Sequence, residues 1–327
     1  RTALGGKWLG RSRLRKDLWQ IPPEPPSGLT KPRTRASLLV MHKRLQLPVA
    51  LWPVLFLLCV LFGGGVGLAF SESVGFFAPL GEHGLTFKHY LALSKDPELW
   101  SSFWLTLRLT TVATVLSTLA GLTVALTLRE LSQRQRLFHF FLQIPLAVPH
   151  LAMAVVLVNL LAPSGLLARL CFALGWVREP AGFPILFNDA AGVGIVLTYV
   201  LKETPFIALT CLAVLARVGP EYEQVARTLG ASAWQRLRFV TLPLVAPALI
   251  SASLLVFAFL FGAFEIPFLL GRPYPAMLAV VAQRRYLSVN LADRPEALAV
   301  AVVMVLLIIV PLALFNKYQA ESQEQRR

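Results

Sequence analysis

Residues 220–243 read PEYEQVARTLGASAWQRLRFVTLP, a polar and charged stretch between two long apolar runs. Pro220 suits the first position of a helix, because its missing N–H is not needed there. Glu221 and Glu223 then fall in the first turn, where the helix dipole favours negative charge. The stretch therefore predicts a short helix that begins at its amino-terminal end.

A second short helix is predicted in the remainder of this stretch. Gly230 follows the apolar end of the first helix, where a left-handed C-cap is common. Ser232 and Gln235 have the spacing of a capping box, and we expect Pro243 to stop the second helix. Two capped helices joined by a glycine corner and held between apolar runs are suited to contact another protein.

The composition indicates a membrane protein. The chain of 327 residues is 56% hydrophobic and 15% charged, whereas a soluble protein carries about 25% charged residues. A helix needs roughly 20 apolar residues to cross a bilayer, and backbone groups in lipid must be satisfied within the helix. We predict an all-α polytopic protein with six transmembrane helices, near Leu47–Phe70, Phe103–Leu128, Phe138–Leu161, Gly192–Leu215, Ala248–Leu270 and Ala297–Phe315.

The charge pattern predicts the orientation. The net charge is +14, and Lys and Arg are frequent in residues 1–46, 129–137 and 216–247 and in the carboxyl tail. Basic flanks favour the cytoplasmic side, so both termini and the 220–243 loop are expected there. This pattern argues for membrane topology and against nucleic-acid binding.

Three regions follow from these spans. Residues 1–46 are expected to be a basic, disordered cytoplasmic segment, with residues 1–40 either a native arm or not native. Residues 47–316 form the transmembrane domain, and residues 317–327 form a cytoplasmic tail. Within residues 162–191, Arg169 and several Gly and Pro residues interrupt an apolar run, which favours an interfacial or re-entrant helix over a seventh span.

The chain lacks the motifs of common membrane enzymes. It contains no G-x-x-x-x-G-K-[ST] phosphate loop and no H-E-x-x-H zinc motif, so it is not expected to hydrolyse ATP itself. The cysteines Cys59, Cys171 and Cys211 lack metal-ligand spacing and are expected to be buried free thiols. No catalytic residue, metal or cofactor is predicted.

The 220–243 stretch resembles the signature loop of permease subunits of binding-protein-dependent type I ABC importers, E-A-A-x3-G-x9-I-x-L-P. Here it reads Gln224-Val225-Ala226, then Gly230, then Val240-Thr241-Leu242-Pro243, with each spacing kept. Gln and Val replace the first two residues of the pattern, and Glu223 lies one position earlier. The segments LAVP at 146–149, ETPF at 203–206 and GAFEIPFLLG at 262–271 are similar to the polyamine, iron(III), sulfate and thiamine group of that family.

The resemblance implies that this loop is a coupling helix that docks on a separate ATPase subunit. A solvated basic loop that only fixes topology is the alternative. The resemblance and the helix caps together assign the coupling role to ten residues of the loop: Glu223, Gln224, Ala226, Gly230, Ala231, Trp234, Arg236, Leu237, Leu242 and Pro243.

Charges inside the spans are candidates for the translocation path, since a charge in lipid is costly. Lys202 and Glu203 precede Pro205, which frees a backbone carbonyl one turn earlier. Glu265 lies in the fifth span. The alternatives are a structural ion pair for Lys202 and Glu203 and an interfacial carboxylate for Glu265, while Arg108 is expected to snorkel or pair.

The function implied by the resemblance is that of a permease subunit in the bacterial inner membrane that imports a small polar or charged solute of polyamine, metal or inorganic-ion type. Its expected partners are ATP-binding subunits, an external solute-binding protein, a second permease subunit and membrane lipid. An ion-coupled secondary transporter is the alternative, since intramembrane charges suit it, and a membrane-embedded enzyme is a third.

Overall fold

Long apolar helices dominate the structure, a computed structural model that describes residues 51–130, 135–179, 182–219 and 221–324. In these ranges six helical stretches are long and apolar enough to cross a membrane. They are Trp52–Ser73, Pro97–Arg129, His150–Ala173, Val193–Val218, Ala233–Gly262 and Asp293–Ala313. The predicted all-α, six-span architecture is confirmed, with different limits for several spans.

The chain divides into two compact units, residues 1–59 and 60–327. In the first unit, the described part contains helix α1 (Trp52–Leu58), and a π-helical turn occupies Cys59–Gly63. The prediction for residues 1–46 falls outside the described residues, as does Pro220.

The second unit contains the remaining helices and a two-stranded antiparallel hairpin. The hairpin pairs β1 (Phe76–Phe77) with β2 (Glu82–His83). The helices are α2 (Gly64–Ser73), α3 (Lys88–Lys95), α4 (Pro97–Glu130), α5 (Gln135–Ala147), α6 (His150–Leu161), α7 (Leu166–Ala173), α8 (Val193–Val218), α9 (Glu221–Thr228), α10 (Ala233–Arg236), α11 (Leu242–Gly262), α12 (Glu265–Leu270), α13 (Leu278–Tyr286) and α14 (Asp293–Glu324).

Helices α4 and α8 form the most extensive helix pair of the unit. Gly121 on α4 allows their close approach, because a Cβ atom there would lie 2.8 Å from the Cβ of Ile207 on α8. Small residues at crossings are typical of membrane helices. The core around this pair includes Tyr199 and Ile207 from α8, Leu260 from α11 and Ile266 from α12, all nearly or fully buried.

Buried hydroxyl groups on α4 add polar contacts between helices. The Thr106 hydroxyl accepts a hydrogen bond of 2.9 Å from the backbone N–H of Leu278, which starts α13. The hydroxyls of Thr118 and of Ser253 on α11 lie 2.8 Å apart. Because lipid offers no competing partner, such bonds hold neighbouring helices in a fixed register.

The third predicted span, Phe138–Leu161, is divided in the structure. Helix α5 ends at Ala147 and α6 begins at His150, with Pro149 extended between them (ψ 146°). Proline disfavours helical geometry in the residue before it and lacks the N–H that a continuous helix needs. The apolar stretch long enough to cross the membrane starts at His150 and runs on through α7, the short helix expected between the third and fourth spans.

The fifth span starts earlier and ends earlier than the predicted Ala248–Leu270. It begins at Ala233 and ends at Gly262. Ala263 is extended (ψ 136°) and a separate helix, α12, follows. Pro267 accounts for this break, since its ring would clash with the carbonyl of the residue four positions earlier, Ala263.

The prediction that Pro243 stops the second loop helix is wrong. Residues 237–241 form a π-helical turn, in which the N–H of Leu242 bonds to the carbonyl of Leu237 five positions back. Pro243 therefore enters at the first turn of α11, where a missing N–H is tolerated. The loop thus continues directly into the fifth span.

Candidate functional site

The loop between α8 and α11 has the two helices and the caps that its sequence predicts. Gly230 adopts a left-handed conformation (φ 82°) after α9, which glycine adopts at no steric cost. The Ser232 backbone N–H donates to Gln235 Oε1 at 2.8 Å, and the Gln235 N–H donates to Ser232 Oγ at 3.3 Å. This reciprocal capping box starts α10.

Glu223 joins this loop to two membrane helices. Its Oε1 accepts a hydrogen bond of 2.8 Å from Arg129 Nη1 at the end of α4, and Arg129 Nη2 pairs with Oε2. The same Oε1 accepts a bond of 2.6 Å from the Thr241 hydroxyl in the turn that leads into α11. A guanidinium that binds both oxygens of one carboxylate fixes the orientation of α9 as well as its position.

The electrostatics of Glu223 agree with this geometry. Partial burial alone raises the pKa of a carboxyl group, but the hydrogen bonds from Thr241 and Arg129 outweigh burial here, so the pKa of Glu223 lies below its usual range. The group is therefore ionised at neutral pH and keeps both of its partners.

The rest of the loop presents exposed apolar side chains. Leu229 is 82% exposed and Trp234 is 64% exposed, and Tyr222, Val225 and Phe239 are exposed as well. Residues 222, 225 and 229 follow the i, i+3, i+7 spacing of one helix face. That spacing was available in the sequence, but the loop prediction did not include Tyr222, Val225 or Leu229. We call these five residues the loop face.

The other residues predicted in the loop divide between the surface and the link to the spans. Gln224 is exposed, and Arg236 donates a hydrogen bond of 3.0 Å to the carbonyl of Ala231. Ala226, Ala231, Leu237 and Leu242 are partly buried, and Pro243 is exposed. Of the residues predicted to couple the loop to the ATPase, only Trp234 belongs to the loop face.

A second polar cluster lies within the membrane helices, at the break between α5 and α6. Lys202 on α8 is only 3% exposed. Its ammonium donates a hydrogen bond of 2.7 Å to the carbonyl of Pro145, and it also contacts the carbonyl of Val148. The last carbonyls of a helix lack intrahelical partners and carry the negative end of its dipole. Lys202 therefore stabilises the carboxyl end of α5.

Glu203 lies next to the amino end of α6. It is 8% exposed, and its Oε1 lies 3.5 Å from Nε2 of His150, the first residue of α6. Among the described residues, Lys202 and Glu203 form no ion pair with each other: Lys202 binds carbonyls at the end of α5, and Glu203 faces His150. Both line a cavity of about 350 Å³ together with His150, Phe206 and Phe259.

The two other predicted path residues lie near this cavity without lining it. Pro205 is buried within α8. Glu265 begins α12 and is exposed, and α12 packs against α6.

No three His, Cys, Asp or Glu side chains come together as a metal site in the described ranges. The three cysteines are free. Cys211 is buried, but Cys59 is exposed, so the expectation of burial is wrong for Cys59. Nothing in its sequence position distinguishes an exposed thiol from a buried one.

Relatives of known sequence match most of the chain. It is 29% identical over 267 residues to the inner membrane ABC transporter permease protein YnjC of Escherichia coli. The aligned residues cover 81% of this chain and 50% of YnjC. It is 26% identical to the sulfate permease protein CysT of E. coli (74% and 84% covered). It is 28% identical to the molybdenum permease protein ModB of Mycobacterium tuberculosis (68% and 81% covered). The chain thus spans half the length of YnjC.

A solved structure shares the fold. The chain superimposes on a bacterial ABC transporter that imports alginate with a TM-score of 0.69 and 18% identity, over 88% of this chain and 96% of the other. The fold is that of a polytopic helical membrane protein. Residues 117–324 match the family described as binding-protein-dependent transport system inner membrane component. The chain belongs to that family, which consists of transport permeases and not enzymes, and the membership predicted from the loop spacing is confirmed.

Proposed function

We propose that this chain is the permease subunit of an ATP-driven importer and that residues 220–243 couple it to a separate ATPase subunit. The observation that carries the proposal is the arrangement of the loop. One side is tied through Glu223 to α4 and to the start of α11, while the other side presents the loop face. A displacement applied to the loop face is thereby transmitted to two membrane helices.

The exposed side chains suit a protein partner. Aromatic anchors supply most of the binding energy at many interfaces, and the loop face contains Tyr222, Trp234 and Phe239. The exposed Arg227 and Arg238 flank these anchors and supply charge for orientation. A loop that only fixed topology has no need of a capping box, a left-handed glycine or a bidentate ion pair.

The proposed orientation places the loop and both termini in the cytoplasm. The distribution of Lys and Arg supports it, and Arg129 lies at the same end of the bundle as the loop because it contacts Glu223. The proposed partners are two ATP-binding subunits, a second permease subunit (identical or paralogous) and an external solute-binding protein. An ion-coupled secondary transporter has no use for a docking loop.

We propose that the translocation path runs along α8, at Lys202, Glu203 and Pro205, and past Glu265 at the start of α12. The cavity at Lys202 and Glu203 adjoins the break between α5 and α6, and broken helices near the middle of a span are common at transporter substrate sites. The substrate is a small polar or charged solute. The names of CysT and ModB, which refer to sulfate and molybdenum, support the inorganic-ion type.

The test is whether Trp234 is needed for ATPase coupling. The permease is reconstituted with its ATPase and solute-binding protein, and solute uptake and solute-stimulated ATP hydrolysis are measured together. Trp234→Ala is expected to lower uptake strongly and to weaken co-purification of the ATPase, and Trp234→Phe is expected to restore most of both. Trp176→Ala is the matched control, because Trp176 is at least as exposed as Trp234 (75% against 64%) but lies outside the loop. Unchanged uptake and ATPase binding in Trp234→Ala would overturn the proposal.

A further inference from the structure

A second cavity, with two arginines in its wall, lies at the opposite end of the bundle from the loop. It has a volume of about 240 Å³, and its polar lining comprises Ser101 and Arg108 from α4 and Arg272 from the segment after α12. Ala190, which precedes α8, completes the wall on one side. Since the loop follows the other end of α8, the cavity and the loop are separated by the length of that helix.

Backbone carbonyls hold both guanidinium groups in place. Arg108 Nη2 donates to the carbonyls of Ala190 and Ala191 at 3.2 and 3.3 Å. Arg272 donates to the carbonyl of Tyr274 from Nε and Nη2, each at 3.2 Å. A guanidinium has five N–H donors, so each group keeps donors for a further partner.

These carbonyls orient the two charges but do not neutralise them. In the described parts of the chain, no carboxylate lies within ion-pair distance of Arg108 or Arg272, and none lines the cavity. Two other arginines at this end differ, since Arg284 pairs with Glu98 and Arg285 pairs with Asp96. Arg284 and Arg285 are therefore neutralised by carboxylates, whereas the two cavity arginines have none within ion-pair distance among the described residues. Asp189, the residue before Ala190, instead accepts a hydrogen bond of 3.0 Å from the backbone N–H of Val193.

Two guanidinium groups without a neutralising carboxylate, in the wall of one cavity, favour the binding of an anion. A charge within a membrane span is costly and marks a functional position, and Arg108 lies within the second span. The planar fork of arginine matches two oxygens of an oxyanion. The Ser101 hydroxyl adds a group that can donate to a third oxygen.

We propose that this cavity is an entry site for a small oxyanion, bound by Arg108 and Arg272. The proposal rests on the proposed function and deepens it, because it assigns a negative charge to the imported solute. In the proposed orientation the cavity faces the outside, where the solute-binding protein releases its cargo. Of the solute types expected from the sequence, inorganic anions fit this site, whereas polyamines and metal cations are repelled by it.

The direct test is protection of the two arginines from chemical modification. The wild-type permease–ATPase complex in lipid nanodiscs is treated with phenylglyoxal, which modifies accessible guanidinium groups, and the modification of each arginine is followed by mass spectrometry. Sodium sulfate or sodium molybdate is expected to slow modification of Arg108 and Arg272 several-fold relative to sodium chloride of equal ionic strength. The exposed Arg178 serves as an internal control and is expected to react at an unchanged rate.

Equal protection of Arg178, or protection by putrescine but not by either oxyanion, would overturn the site. So would the absence of protection in a complex whose ATPase activity is intact. That outcome is distinguishable from failure of the proposed function, which is tested separately by co-purification of the ATPase with the Trp234→Ala permease.

Variants give a second measurement. Arg108→Gln and Arg272→Gln are each expected to raise the KM for oxyanion uptake about tenfold, as for a lost charge-assisted hydrogen bond. Arg108→Lys, which keeps the charge but not the planar fork, is expected to give an intermediate KM. Arg178→Gln is the control, and an equal rise in KM in that variant contradicts the proposal.

Discussion

Arg129 at the end of α4 and Glu223 in the loop are 94 residues apart in sequence, yet Arg129 Nη1 donates a hydrogen bond of 2.8 Å to Glu223 Oε1. Thr241 bonds to the same oxygen from the turn before α11. One carboxylate thus joins three segments of the chain. Movement of α9 that keeps these bonds has to displace α4 and α11 with it.

We expect Glu223→Ala and Arg129→Ala each to lower solute-stimulated ATP hydrolysis and uptake, because either change releases α9 from the spans. The double variant is expected to be little worse than either single one, with an interaction energy of about 1 kcal/mol in the unfolding of the purified permease. Glu221→Ala on the same helix is the control. Strictly additive effects would show that the two residues act independently.

Local patterns predicted much of this fold, since the spans and caps depend on residues close together in sequence. Apolar runs located the six membrane helices, and the spacing of Ser232 and Gln235 located the second loop helix. The divided third span shows the limit, because Pro149 is compatible with either a kink or a full break. What holds the break open is Lys202, whose bond to the Pro145 carbonyl connects residues 57 positions apart.

The candidate site, like the fold, was predictable from the sequence only where it depends on residues close together in the chain. The loop residues follow from spacing and from a family resemblance. The pairing of Glu223 with Arg129 could not be predicted in this way, because nothing in the sequence near Arg129 distinguishes it from other basic residues at the ends of spans. The sequence also could not show that Arg108 lacks an ion-pair partner, because this depends on which carboxylates the packing of other helices brings close to it.

Changes at the glycine corner are expected to loosen the loop without unfolding the bundle. Gly230→Ala places a Cβ in a left-handed conformation at a cost of roughly 1 kcal/mol, although the space around it is open. Ser232→Ala removes the capping box at about the same cost. Hydrogen exchange of residues 221–241 is expected to become faster in both variants, and Gly230→Asn is expected to have a smaller effect. Unchanged exchange in Gly230→Ala would contradict the role of the left-handed turn.

The ion pairs at the opposite end predict an acid-dependent stability. Asp96 pairs with Arg285, which also binds Glu296 at 3.2 Å. Burial alone raises the pKa of Asp96, but the Arg285 guanidinium and two backbone N–H groups lower it below its usual range. A carboxyl with a lowered pKa contributes stability above its unfolded pKa of about 3.9 and loses it as the pH falls further.

Thermal unfolding of the purified permease, measured between neutral and acidic pH, tests whether its stability falls at low pH as predicted. Asp96→Asn is expected to lower the unfolding temperature at pH 7 and to reduce the loss of stability below about pH 4. Glu179→Gln, which changes an exposed carboxylate outside this network, is the control. An Asp96→Asn variant with the wild-type pH dependence is incompatible with the prediction.

Lys202 is expected to stabilise the break in the third helix. Lys202→Met keeps much of the side-chain volume but leaves the carbonyls of Pro145 and Val148 without their donor, at a cost of about 1–3 kcal/mol. The variant is expected to unfold at lower denaturant concentration and to exchange backbone hydrogens faster in α5. Leu201→Met, at the exposed neighbouring position, is the control. Wild-type stability in Lys202→Met would mean that the break is held by proline alone.

The two acidic path candidates are expected to differ in their effect on uptake. Glu203 lines the cavity beside Lys202 and His150, whereas Glu265 lies at the start of α12 and is exposed. Glu203→Gln replaces a buried carboxyl group next to the broken helix, so we expect a change in the KM for uptake of about tenfold, with ATPase binding unchanged. Glu265→Gln is expected to shift KM less, because its carboxylate does not line this cavity. Uptake kinetics with the whole complex in proteoliposomes separate the two, and a larger effect at Glu265 would move the path from α8 towards α12.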